Sequence, residues 1–359
     1  MSDSIHSPLE QDLPHAGRLV QYHGALLPAC YSNSLAEYQA VRDSAGVFDL
    51  SFRSQFTARG SDRVRFLQGM VTNDVKLLRS GQGTYALLLN SRGHILADVT
   101  VYCAEDHFII ETDADLLDKA LQALNHYNIG GRTPLEPLSV SGLAIQGPKA
   151  RAVLKEVLGI SVFDLASLNH TSTDWMGQAV RILQAGHTGE DGCEVWLDRN
   201  GLKPLWDALL ERGRDQGLLP CGVNALETLR IEAGIPKYGS ELAEDTLPLE
   251  ADLLSALSLT KGCYLGQEIV ERARSRGRVN WKMVGLFLES SEAPKAGDRL
   301  RSGDRDVGEI TSACPSPALG RTIAMGYVRR EVSDLGTKLT LSSGAGAEVT
   351  ALPFYARRQ

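Results

Sequence analysis

Between Ser34 and Gly46 the apolar residues Leu35, Tyr38, Val41 and Ala45 recur at helical spacing. Ser34 with Glu37 three residues later has the form of a capping box, and Gly46 ends the run. Gly46-Val-Phe-Asp-Leu-Ser51 predicts a turn into a short strand, and Ser61 predicts the cap of a helix bearing Val64, Leu67 and Val71. From Thr84 to Tyr102 the period changes to two and predicts a β-hairpin, turning at Asn90-Ser-Arg-Gly93. On its return strand Ile95, Ala97, Val99 and Val101 share one face, and Leu96, Asp98, Thr100 and Tyr102 share the other. A strand at 108–111 and an amphipathic helix through Leu116, Leu117, Ala120, Leu121 and Leu124 follow. After Pro134 and Pro137 similar elements return: a strand at 139–145, Pro148 opening a helix, a hairpin over 179–197, and helices near 202–214 and 223–233. Beyond about Gly277 only short apolar strands alternate with Gly, Pro, Ser and Asp turns, which predicts a small β-barrel.

The 359 residues, 43% hydrophobic and 23% charged, have ordinary globular composition. That excludes a largely disordered chain, a collagen-like fibre and a coiled-coil rod. No apolar run approaches the roughly 18–20 residues that span a bilayer, so no membrane partner is expected. A net charge of −7 gives no general attraction to nucleic acid or anionic lipid. Met1 to Gly17 carries Asp3, Glu10 and Asp12 and lacks the basic and apolar regions of an export signal. It is expected to be a frayed leader on a cytoplasmic protein. The cysteines at 30, 103, 193, 221, 263 and 314 form no C-x-x-C pair. Reduced thiols are expected, without a structural zinc or a stable four-cysteine cluster.

Phosphate-loop, zinc-protease and nucleophile-elbow signatures are all missing. Four other segments stand out: Asn90–Asp98, His187–Glu194, Leu229–Gly234 and Lys261–Glu268. In the second, two glycines among carboxylates make a tight turn that delivers Glu194 onto a strand. A buried carboxylate there would suit a planar heterocycle with paired N–H donors; otherwise the turn is solvated. In the third, Arg230 lies among Leu226, Leu229 and Ala233, and either pairs with Glu227 or Glu232 or clamps a ligand. In the fourth, Cys263 lies between Gly262 and Tyr264, with Lys261 before it and Arg272 and Arg274 after it. Cationic neighbours favour a reactive thiolate; the alternative is an inert thiol in a structural turn. Arg272, Arg274, Arg276 and Arg278 would share one face of an extended segment. They read as a solvated edge, a seat for a polyanionic tail or an RNA contact. With few aromatics nearby, direct nucleic-acid binding is not expected.

In their order along the chain, Gly46–Ser51, Thr72-Asn-Asp74, Asn90–Asp98, Gln146-Gly-Pro148, the run ending at Glu194 and Leu229–Gly234 resemble the folate-binding superfamily of the glycine-cleavage T-protein, an aminomethyltransferase. The resemblance runs from about Ala25 to the C-terminus. It implies an α+β fold of three lobes around a central opening. Residues 1–276 would form a folate-binding core, with lobes of about 1–52 with 139–276 and of 53–138, and residues 277–359 a C-terminal β-barrel. It implies tetrahydrofolate or a one-carbon derivative as cofactor, with Glu194 holding the pterin N–H groups and Asp98, His187 and Arg230 lining the site.

K-G-C-Y-x-G-Q-E resembles the signature of the YgfZ-type branch, folate-binding proteins that support assembly or repair of iron–sulfur enzymes and affect tRNA modification. On that reading Cys263 is the active residue, with Lys261, Tyr264, Gln267 and Glu268 around it. The partners would be folate and iron–sulfur client or assembly proteins. The alternative is a tetrahydrofolate-dependent aminomethyltransferase of the glycine cleavage system. Two departures bear on the choice. The family has adjacent aspartates where this chain has Ala97-Asp98, and the resemblance gives the first of them the role at the reactive nitrogens. Poor aminomethyl transfer is the expectation, because Asp98 points to the other face. His187 stands where the family usually has tyrosine.

Overall fold

A computed structural model describes residues 5–9, 18–162, 165–277 and 279–356. Three larger sheets organise the chain. Strands Gly83–Leu89, Ile95–Cys103, Phe108–Asp113, Arg53–Ala58 and Leu135–Pro137 lie in that order in a five-stranded sheet. The six-stranded sheet takes Ala45–Asp49 from before that segment and its other strands, among them Val140–Gln146 and Gly192–Asp198, from after it. The chain therefore leaves one sheet, builds the second, and returns. Strands from Trp281 to Thr350 close into a six-stranded barrel around Val284, Leu286, Leu300, Ile310 and Val328. The α+β class and the C-terminal barrel match the sequence expectation. No helix among the described residues is long and apolar enough to cross a membrane.

Each core follows from strand alternation. On the return strand of the hairpin, Ala97, Val99 and Val101 pack into an apolar cluster with Phe56, Leu67, Ile110 and the helix Leu117–Tyr127. On Gly192–Asp198, Cys193, Val195 and Leu197 pack beneath helices Ala150–Leu158 and Leu202–Arg212. The alternate residues of both strands face the other way, toward each other's sheet.

Several boundaries differ from the sequence reading. The first helix is Ser34–Asp43, and its cap is Asn33, whose side chain accepts from the N–H groups of Leu35 and Ala36. Glu37 reaches back instead to the N–H groups of Tyr31 and Ser32. The second helix, Arg63–Met70, starts after Asp62 rather than at Ser61. The helix after Pro148 begins at Ala150. The leader is not wholly frayed: Ile5–His6 pairs with the strand Ala25–Pro28, Leu9 is buried, and the Ser7 hydroxyl donates to Asp49. Residues 1–4 and 10–17 lie outside the described residues. The arginine run is not extended either. Gln267–Arg276 is a helix, on which a spacing of two turns successive residues to different sides. Arg272 pairs with Glu268 and Arg274 with Glu271, and Arg278 lies outside the described residues.

Candidate functional site between two sheets

The polar face of the five-stranded sheet is the floor of the site. Arg53 sits opposite Asp113, and Thr100 sits opposite Glu111, in the strand register. Asp98, Thr100 and Tyr102 point the same way, because each is two residues from the next. Glu194 and Trp196 project from the six-stranded sheet, and the Trp196 ring meets Tyr102 edge-on at 5.4 Å between centroids. Between the two faces lies a cavity of about 550 Å³. Tyr22, His23, Phe52, His187, Arg230 and Lys237 are among the residues that also line it.

Four carboxylates share this space with one central guanidinium. Arg53 bonds Asp113 through Nη1, and its Nε lies 3.4 Å from Glu111 Oε1. Burial, then the charge of Glu194, pushes Glu111 up to about 7, with Arg53 opposing. Burial, then Asp113, raises Asp98, again against Arg53. Burial also pushes Glu194 upward, but it ends below the ordinary carboxylate range. His187 Nε2 at 3.1 Å, Arg53, and Trp196 Nε1 at 3.2 Å together outweigh the burial. One wall thus keeps an anion, while the opposite wall holds Glu111, poised at about 7, beside an Asp98 raised above the ordinary carboxylate range. Asp98 Oδ2 accepts from the Tyr85 hydroxyl at 3.3 Å, and Oδ1 is buried with no hydrogen-bond partner.

Asp98, His187, Glu194 and Arg230 come together around this cavity. Arg230, however, has no donor left for a ligand. Its Nε and Nη2 hold Glu227, Nη1 holds Ile235 O and Glu241, and Nη2 also holds Ser312 of the barrel. Of the two readings of its burial, the ion pair is the one realised.

Position 97 is corrected. Ala97 is fully buried among Phe56, Leu67 and Val99, on the apolar face of the sheet. An acid there would face the core, whereas Asp98 faces the cavity. The alanine therefore removes no carboxylate from the site.

The Lys261–Glu268 segment does not line the cavity. Lys261 is buried, donates to Val71 O and Asn73 O at 2.6 and 2.7 Å, and is pushed down to about 8 by burial. Tyr264 packs with Leu87, Leu89 and Ile95, and its N–H donates to Gln267 Oε1. Gly266, at φ 83°, approaches the hairpin turn so closely that a Cβ would stand 2.7 Å from Asn90 O. Cys263 and Glu268 are exposed. The cations expected around the thiol are engaged elsewhere: Lys261 with carbonyls, Arg272 and Arg274 with glutamates.

Sequence reasoning missed His23, Arg53, Glu111 and Asp113. The sequence reading assigns no element to Arg53–Ala58, although Arg53, Gln55 and Thr57 alternate with Ser54, Phe56 and Ala58. Glu111 and Asp113 follow the same period in Phe108–Asp113. Charges spaced by two inside otherwise apolar strands were the available signal.

Comparison with known proteins agrees with this architecture. Residues 11–261 match the GCVT N-terminal domain, and residues 282–356 match the glycine cleavage T-protein C-terminal barrel domain. The chain is 34% identical over 370 residues to an aminomethyltransferase of Symbiobacterium thermophilum, covering 99% of this chain and 98% of that one. It is 31% identical over 354 residues to an aminomethyltransferase of Geobacillus, covering 96% of each. The crystal structure of glycine cleavage system aminomethyltransferase T from Bartonella henselae superposes with a TM-score of 0.91 at 28% identity, covering 98% of both chains. These relatives give no support to an iron–sulfur or tRNA role, which rested on the Lys261–Glu268 segment alone. Two matched domains in family order, on a shared three-sheet architecture, make this chain a member of the glycine cleavage T-protein family.

Proposed function

We propose that this protein transfers an aminomethyl group to tetrahydrofolate. The observation that carries the reading is Asp98 Oδ1, a buried oxygen with no partner, in the same cavity as the anionic Glu194. A buried acceptor left unmatched is costly unless a ligand supplies the donor. Glu194 suits the paired N–H edge of a pterin, and Asp98 suits the reactive nitrogens. Tetrahydrofolate supplies the acceptor nitrogens. The names of the full-length relatives support the same reaction. Cys263 has no part in it, and its segment reads as a folding element that seats the hairpin turn.

Calorimetry with tetrahydrofolate and ammonia release from an aminomethyl-lipoyl carrier test the reading. Glu194→Ala is expected to weaken folate binding about ten- to a hundredfold, the worth of a charge-assisted hydrogen bond. Asp98→Asn is expected to keep binding and to slow transfer by about 10²–10⁴, the usual contribution of an acid–base group. Background-level ammonia release by the unmodified protein would overturn the transferase reading. Unchanged affinity in Glu194→Ala would remove that residue from the folate site.

A further inference from the structure

On the cavity wall, His23 is set between two carboxylates. Its Nδ1 lies 3.1 Å from Asp113 Oδ2 and 3.5 Å from Asp115 Oδ1, and its side chain is only 7% exposed. Both carboxylates stand on the Nδ1 side of the ring, which favours the proton there and leaves Nε2 as the basic position. Nε2 has no hydrogen-bond partner among the described residues. Tyr22 and Phe52 flank the imidazole as aromatic walls, with centroids at 4.8 and 6.3 Å. The backbone at residue 23 has φ 45°, a conformation that non-glycine residues seldom adopt. Arg53 holds the second oxygen of Asp113, so the carboxylate is anchored from behind. The same three side chains fit a metal ion poorly, because that guanidinium sits on one of the carboxylates and the imidazole nitrogen is used on the acids.

We infer that His23, oriented by Asp113 and Asp115, is a second acid–base group of the cavity, beside Asp98. The inference rests on the aminomethyl-transfer reading. That reaction breaks the C–S and C–N bonds of R–S–CH₂–NH₂ and two folate N–H bonds. It forms two C–N bonds to folate, one S–H bond and one N–H bond of ammonia. No electrons are gained or lost, and two protons must travel from folate nitrogens to the leaving groups. Asp98 serves one transfer. His23 serves the other, accepting a proton at Nε2 and delivering it to the departing amine. Asp113 and Asp115 stand at its Nδ1, Arg53 holds Asp113 from the far side, and Asp98 shares the cavity. Glu227 and Lys237 reach the adjacent Tyr22, at its hydroxyl and over its ring.

Glycine is at ease at positive φ, so His23→Gly keeps the turn and removes only the imidazole. The variant is expected to bind tetrahydrofolate within about twofold of the unmodified protein. Turnover is expected to fall at least tenfold, to lose one limb of its pH profile, and to recover partly with added imidazole. Unchanged turnover and pH profile, or a loss that imidazole does not relieve, would overturn the assignment. A second readout is independent of turnover. The ring-proton NMR signal that disappears in His23→Gly is expected to shift when tetrahydrofolate is added to the unmodified protein. A signal indifferent to folate overturns the placement of His23, whereas a shifting signal in a protein that releases no ammonia defeats the transferase reading instead.

Discussion

Two arginines line the same cavity and are buried almost equally, Arg53 with 8% of its side chain exposed and Arg230 with 4%. Arg230 spends its donors on five bonds: two hold Glu227 on its own helix, Val223–Glu232, and three tie that helix to Ile235, Glu241 and the barrel's Ser312. Arg53 sits under an excess of acid: Asp113 and Glu111 touch it, and Asp98 and Glu194 act on it from further away. Burial alone therefore does not separate a staple from a functional cation. The completeness of the partner set does, because a matched network resists change and an unmatched one waits for a ligand or a proton.

The largest effect is expected on the staple. Arg230→Met strands Glu241, whose side chain is fully buried, and should cost about 3–5 kcal/mol in urea unfolding, the usual loss when one partner of a buried pair is removed. Glu227 is held down to about 2 by Arg230 against its burial, so the pair is intact at pH 5 and the loss should already be large there; it should grow further by pH 8, where the released carboxylate no longer takes up a proton. Arg53→Met should behave differently. At pH 5 the surrounding acids can take up protons and the cost should be small; by pH 8 it should approach about 3 kcal/mol. Equal losses at both pH values would erase the distinction between the two arginines.

The smallest effect sharpens the acid side. Glu111 titrates at about 7 in the folded protein against an ordinary 4.5. Between those values the folded state keeps a proton that the unfolded chain has released, so stability falls as pH rises through the window. Glu111→Gln should flatten that slope in unfolding curves taken from pH 4.5 to 7. A slope unchanged by the substitution would mean that another carboxylate carries the titration.

Much of this was legible in the sequence, and the exceptions have physical causes. Alternation along Ile95–Cys103 placed Asp98 opposite the core face, as the structure has it. The same rule, applied to residue 97, would have shown that its side chain belongs to the core; the resemblance to paired aspartates obscured it. The Glu194 turn was legible from its glycines and acids. Arg53 was not, because its partners come from a strand some 60 residues away, and Asp113 meets it only through strand register. His23 depends on a turn before the first helix, where no periodic pattern marks the strands Leu19–Tyr22 and Ala25–Pro28. In the Lys261–Glu268 segment, uncommon composition has a packing cause at part of its length: Lys261, Tyr264 and Gly266 are fixed by burial and by close approach to the hairpin turn, whereas Cys263 and Glu268 stand exposed, away from the cavity.

The barrel carries a different kind of consequence. Ser312 holds Arg230 at 2.7 Å, and Thr311 and Ser312 both hold Glu241, at 2.7 and 2.6 Å. Three hydroxyl contacts from a separately closed sheet thus finish the wiring of groups buried in another part of the chain. Evolutionary exchange of barrels between relatives is constrained accordingly: a donated barrel must bring its Thr-Ser pair into the same register, or the recipient inherits an arginine and a glutamate with vacant bonds.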